Sequence, residues 1–193
     1  VGPPPAQLAV VATVGTDSAG RNQLRVVLID SARSGVTLTD RPPLPFIPEV
    51  PHAEVVFENV TVDEREICPG DGFARYLKPF RTVEDLHVLG ATHGWLVQVA
   101  RRCQWPRDIV QRLVFGASAV RGLALAEPSD PTVHIALGGL FDTFEALLAD
   151  LDPLWHSADD QTRERWARDR QVLAIAGSVR AKRLHSAWQA IQR

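Results

Sequence analysis

The acidic pair Glu84-Asp85 is the first place in this chain where residue type and position could do chemistry. Carboxylates serve as general acids and bases. At the start of a helix they are also favoured by its dipole while they face water. Arg112-Leu113-Val114-Phe115-Gly116 sets a guanidinium three residues before an aromatic ring, a spacing that an amphipathic helix also produces. Gly70-Asp71-Gly72-Phe73 is too short to cradle a phosphate, and no Gly-x-Gly-x-x-Gly unit follows a strand, so it reads as a turn. The histidines His52, His87, His93, His134, His156 and His185 form no paired-ligand pattern, and no metal is expected. His93 falls on an apolar helix face and reads as a hydrogen-bonded core or interface residue. There is no Gly-x-Ser-x-Gly nucleophile elbow. Cys68 and Cys103 lie far apart, in no metal-type spacing, which suits a reduced cytoplasmic setting with structural or idle thiols.

The elements that would position these residues fall into two kinds. Residues 7–14 (QLAVVATV) and 23–30 (QLRVVLID) are β-branched runs of strand length around a turn-rich segment. Residues 31–44 have room for one short strand. Residues 54–62 read as a third main strand, joining that hairpin in one sheet. From Phe73 the apolar spacing becomes helical. Residues 76–102 form a first helix, interrupted by Gly90 and Gly94, which imply close approach of another backbone. Pro106 opens a second helix that runs to about residue 126. Pro128 and Pro131 belong to the loop after it. Residues 135–148 make a third helix, on which Glu145 and Asp150 read as solvent-facing, and Pro153 breaks it. Residues 157–160 (SADD) look like a cap, with the Ser157 oxygen as acceptor. Residues 162–191 then read as one last long helix. Its other face, with Arg163, Arg165, Arg168, Arg170, Arg180, Lys182 and Arg183, is solvated or meets an acidic partner. Strands followed by helices imply an α+β fold: a small antiparallel β-subdomain, then an up-and-down bundle of about four helices.

Composition narrows the function. The 193 residues are 45% hydrophobic and 23% charged, enough for one medium domain or two small ones with a real core. Net charge is −2, so no basic field for nucleic acid is expected. No apolar run approaches the ~20 residues that cross a membrane. The chain has no methionine. Its proline-rich opening lacks the parts of a signal peptide and looks like a loop cut open, which suggests a fragment of a longer protein.

Residues 52–73 carry a resemblance. His52-Ala53-Glu54-Val55-Val56-Phe57-Glu58-Asn59-Val60-Thr61-Val62 reads as a β-ladder, and a polar turn then leads through Gly70-Asp71-Gly72-Phe73 into a long helix. This resembles the junction between the middle β-domain and the C-terminal helical domain of the acyl-CoA dehydrogenase family. Residues 25–35 (RVVLIDSARSG) resemble the family's strand ending in Ala-x-x-Pro-Gly-Val, with Ser34 in place of the proline. Asp63 stands where the family usually has proline. The similar stretch covers residues 6–100. The family's flavin-holding Thr-Glu-x-x-Gly-Ser and Trp-Ile-Thr segments, and its Gly-Gly-x-Gly-Tyr loop, are not found in this sequence.

The resemblance implies a partial middle β-domain over residues 1–70 and a C-terminal helical-bundle domain over 71–193. It implies FAD as cofactor, an acyl-CoA substrate, and α,β-dehydrogenation with flavin accepting hydride. In the isovaleryl-type branch the base lies in a Leu-Glu-Arg-Leu pattern with a glycine ten residues on. Val83-Glu84-Asp85-Leu86 and Gly94 repeat that spacing, which makes Glu84 the implied catalytic base. Asp85 reverses the charge of the family's arginine. Arg112, Phe115 and Gly116 match the family's Arg-x-x-Phe-Gly, whose arginine meets flavin phosphates across a subunit interface. The basic face of the last helix would suit a CoA phosphate. Family members pair through their C-terminal helices, so a homo-oligomer or a family-related subunit is the expected partner. The alternative is a non-catalytic remnant serving as a structural or assembly subunit without flavin. Neither nucleic acid nor membrane is expected as a partner, and the expected compartment is the cytoplasm.

Overall fold

The computed structural model describes residues 5–192; the proline-rich opening at residues 1–4 and the final Arg193 lie outside the described residues. Among those described, four strands come first and five helices follow, as α+β requires. The chain divides after Pro79 into two compact units.

In the first unit β1 (Gln7–Thr16) pairs antiparallel with β2 (Asn22–Asp30), with a slip between Thr13 and Gly15. The Asp17 carboxylate closes the turn by accepting from the Ala19 and Arg21 amides. Val26, Val27 and Ile29 of β2 are buried. The short strand expected in residues 31–44 is β3 (Val36–Asp40), which pairs antiparallel with β4 (Ala53–Phe57).

The single three-stranded sheet is corrected. β3 and β4 form a separate two-stranded sheet, and the extended run stops at Phe57 because Asn59 turns to φ 52°. The chain also closes tightly on Gly35, at φ 87°. A Cβ there would lie 2.3 Å from the Glu58 carbonyl oxygen, so only glycine fits. A single bridge, Val27 to Ile67, ties the next segment to β2.

Asp63 and Glu66 then cap a short turn reciprocally. The Arg65 amide donates to Asp63, and the Asp63 amide donates to Glu66. Arg33 grips the Glu66 carboxylate with both Nη atoms and donates to the Thr61 carbonyl as well. Gly72 lies so close to the Leu24–Arg25 backbone that its Cβ would meet Leu24 C at 2.8 Å.

The second unit is the bundle: α1 (Lys78–Arg102), α2 (Arg107–Leu123), α3 (Pro131–Leu151), α4 (Asp160–Asp169) and α5 (Gly177–Ile191). Leu89, Leu96, Leu113, Leu137 and Leu151 are fully buried at its centre. Trp95, Trp105, Trp155 and Trp166 pack ring to ring, with centroids 5.2–6.0 Å apart. By length and composition Pro131–Ser157, at mean hydropathy 1.2, meets the threshold for a membrane-crossing helix. A third of its apolar window is buried inside the bundle, with Leu137, Phe144 and Leu147 among the buried residues of α3.

Four local expectations change. Pro131 opens α3 instead of sitting in the loop, because Asp130 caps the helix by accepting from the Thr132 amide. Asp159, not Ser157, caps α4; Ser157 instead donates to the Leu154 carbonyl and accepts from Trp105 Nε1. The last long helix is broken: residues 170–174 tighten into a 3-10 turn and Ala176 adopts the left-handed conformation at φ 62°. Arg180 satisfies the carbonyls freed there, donating to Leu173 at 2.5 Å and Ile175 at 2.7 Å. Finally, no other backbone approaches Gly90 or Gly94, although a Cβ on Gly90 would lie 3.3 Å from the Val120 side chain. Gly94 faces open space, whereas a Cβ on Gly116 would lie 2.2 Å from His93 Nε2.

His93 is buried, donates from Nδ1 to the Leu89 carbonyl, and packs on Phe144. Burial pushes its pKa below the ordinary 6.5. With the ring held on two sides, Gly116→Ala is expected to cost about 1–3 kcal/mol in denaturant unfolding; unchanged stability would mean the ring yields freely. In the first unit, the Arg33 guanidinium and the Asp63 amide hold Glu66 down from 4.5 to about 2. A depressed carboxyl lends its stability above pH 4.5 and loses it as pH falls toward 2. Acid unfolding followed by circular dichroism is therefore expected to steepen in that window, and to flatten there in Glu66→Gln.

Candidate functional site

Glu84 sits near the start of α1, where the resemblance puts a base. Its carboxylate accepts from Arg81 Nη1 at 2.7 Å, one turn back on the helix, and is 40% exposed. Pairs this exposed contribute about 0–1 kcal/mol, so Arg81 is easily displaced.

One residue on, roughly 100° around the helix, Asp85 points inward. The solvated reading of Asp85 is corrected: the residue is buried. It accepts from Arg180 Nη1 at 3.0 Å on one oxygen and from Arg183 Nη2 on the other. The charge reversed at Asp85 is thus answered by two arginines of α5. Both had been placed on a solvated basic face, yet their side chains are only 19% and 9% exposed.

The Arg-x-x-Phe-Gly match divides between two faces of α2. Arg112 and Phe115 point outward, Phe115 at 67% exposure, while Gly116 is fully accounted for by His93. Arg112 pairs with Asp150 across an exposed 2.6 Å contact. An exposed guanidinium held by so weak a pair is free to take another anion. The Gly70–Phe73 segment behaves as a turn: Gly70 O accepts from Arg25, Asp71 accepts from the Ala74 amide, and Tyr76 donates to Pro69 O.

The structure adds a feature that sequence reasoning missed. A cavity of about 670 Å³ lies beside α3 and α5, walled by apolar side chains and reached by Arg170, Arg180 and Arg183. The three arginines were visible in the sequence, but the helix break that turns two of them inward was not.

No protein-family model and no curated protein matches the chain. Solved structures do. The FMN-bound form of TdsC, a dibenzothiophene monooxygenase from Paenibacillus sp. A11-2, is similar with a TM-score of 0.71 at 14% identity. The likeness covers 97% of this chain and 60% of that one. The complex of TdsC with FMN and indole gives a TM-score of 0.70 at 15% identity, over 97% and 61%. This chain therefore spans about three-fifths of the length of the structures it matches. At such identity the likeness is one of fold, and that fold is the acyl-CoA dehydrogenase-like α+β arrangement of the TdsC structures.

Proposed function

We propose that the chain is the β-and-bundle portion of a flavin-dependent oxidoreductase. The likeness to FMN-bound TdsC over nearly the whole chain carries this reading. A flavin, when bound, supplies a two-electron acceptor for hydride. Arg112 and Phe115 would hold its phosphate end. The finer reading is α,β-dehydrogenation of an acyl-CoA with FAD. In that reaction Glu84 takes the proton from the carbon next to the thioester, once Arg81 has given up its contact. Arg81 donates to one of the carboxylate oxygens and so must move aside before that oxygen can take a proton.

A second reading is favoured by two observations. Both residues that flavin chemistry would use, Glu84 and Arg112, are already paired. A subunit that keeps the fold for assembly, pairing with a second copy or a related chain through its helices, would have no need to release them.

The readings separate on one preparation. The purified chain is incubated with FMN, and separately with FAD, desalted, and scanned in the visible. Retained flavin bands are expected; a colourless protein from both would overturn the oxidoreductase reading and leave the assembly role. On a flavin-retaining protein, Glu84→Gln is expected to slow acyl-CoA-dependent flavin reduction by about 10²–10⁴-fold with the fold intact. An unchanged rate would remove Glu84 as the base without touching flavin binding.

A further inference from the structure

The cavity in the second unit lies between α3, the 170–174 turn and α5. Leu137, Phe141, Phe144, Leu148, Leu173 and Leu184 make its walls mostly apolar. Its volume of about 670 Å³ falls within the roughly 300–1,000 Å³ usual for small-molecule sites.

The buried charges beside it do not balance. Arg180 and Arg183 both line it, and they share one carboxylate, that of Asp85. Arg180 is otherwise provided for: it donates to the Leu173 and Ile175 carbonyls and lies 4.2 Å over the Phe141 ring. Arg183 is not. Its Nη1 is buried and has no hydrogen-bond partner among the described residues. Arg183 and Asp85 are each nine-tenths buried, so this is a buried cluster with one positive charge in excess. Uncompensated buried charge, and a guanidinium N–H left unpaired, are among the costlier states in a protein interior. Nη1 is closed to solvent. Arg183 also lines the cavity, so a small shift of its side chain would turn this unpaired N–H toward an acceptor held there.

We propose that this cavity binds a small apolar carboxylic acid, as its carboxylate, with Arg183 as the anion-binding group. The planar guanidinium fork suits a carboxylate. Within the buried trio of Arg180, Arg183 and Asp85 the excess is a single charge, which matches a monoanion; Arg170, exposed, also lines the cavity. Asp142 and Glu145, exposed on α3 and also lining the cavity, oppose any second negative charge on the ligand. The apolar walls contributed by α3 take the apolar body. The site stands apart from Glu84 and Arg112 and requires no flavin.

The test is titration calorimetry on the purified chain without flavin, with phenylacetate and hexanoate as probes and phenylacetamide as the uncharged counterpart. At least one acid is expected to bind, with phenylacetamide about tenfold or more weaker than phenylacetate if that is the acid bound. Arg183→Gln is expected to remove most of the acid's affinity, and Leu148→Trp, which adds bulk to the apolar wall, is expected to block it. Failure of both acids to bind, equal binding of phenylacetate and phenylacetamide, or unchanged affinity in a folded Arg183→Gln or Leu148→Trp protein would overturn the proposal. If Arg183→Gln does not fold, the wild-type acid and amide comparison still decides. Because no flavin enters, failure here is distinct from failure of the oxidoreductase reading.

Discussion

The Asp85 carboxylate holds the helical unit together at its least regular point. It is one buried anion between two arginines that arrive from a different helix, ninety-five and ninety-eight residues later in the chain. Removing one partner of a buried ion pair typically costs about 3–5 kcal/mol, because the other charge is left stranded. That penalty comes on top of an unusual backbone. Ala176 adopts a left-handed conformation that costs a non-glycine residue roughly 1–2 kcal/mol. Arg180 makes the break tolerable by bonding two freed carbonyls and Asp85 with one side chain. The fourth leg of the bundle, its break and its charge centre thus form one interdependent arrangement.

Much of the fold was legible in the sequence, for identifiable reasons. Strand runs such as residues 23–30 combine β-branching with flanking turn formers, and three-and-four spacing carried α1 over nearly its full length. What the sequence hid were choices settled at longer range. Residues 53–57 pair with β3 and not with the first hairpin, a preference written in the closeness of Gly35 to Glu58 and not in any propensity. The helix break at Ala176 was invisible because Leu173, Ile175 and Val179 continue an acceptable apolar period straight through it. Gly177 was its only local sign.

The candidate site shows the same division. Glu84 was singled out by spacing alone, on a helix that the structure shows as α1. Its surroundings could not be read from spacing, since Arg81 becomes a partner only through the rotamers chosen on that helix face. Asp85 stood out as a charge in the wrong place. Its explanation lay in Arg180 and Arg183, which local pattern assigned to solvent. A charge that departs from a resembled pattern is therefore better taken as a search instruction for distant opposite charges.

The stacked indoles have a practical side. Four of the five tryptophans, Trp95, Trp105, Trp155 and Trp166, sit in one contiguous group inside the bundle, and the fifth, Trp188, is half exposed on α5. The strand unit holds none and has only Tyr76, the single tyrosine of the chain. Tryptophan emission from this protein accordingly reports on the helical unit, and tyrosine emission comes only from Tyr76 in the strand unit.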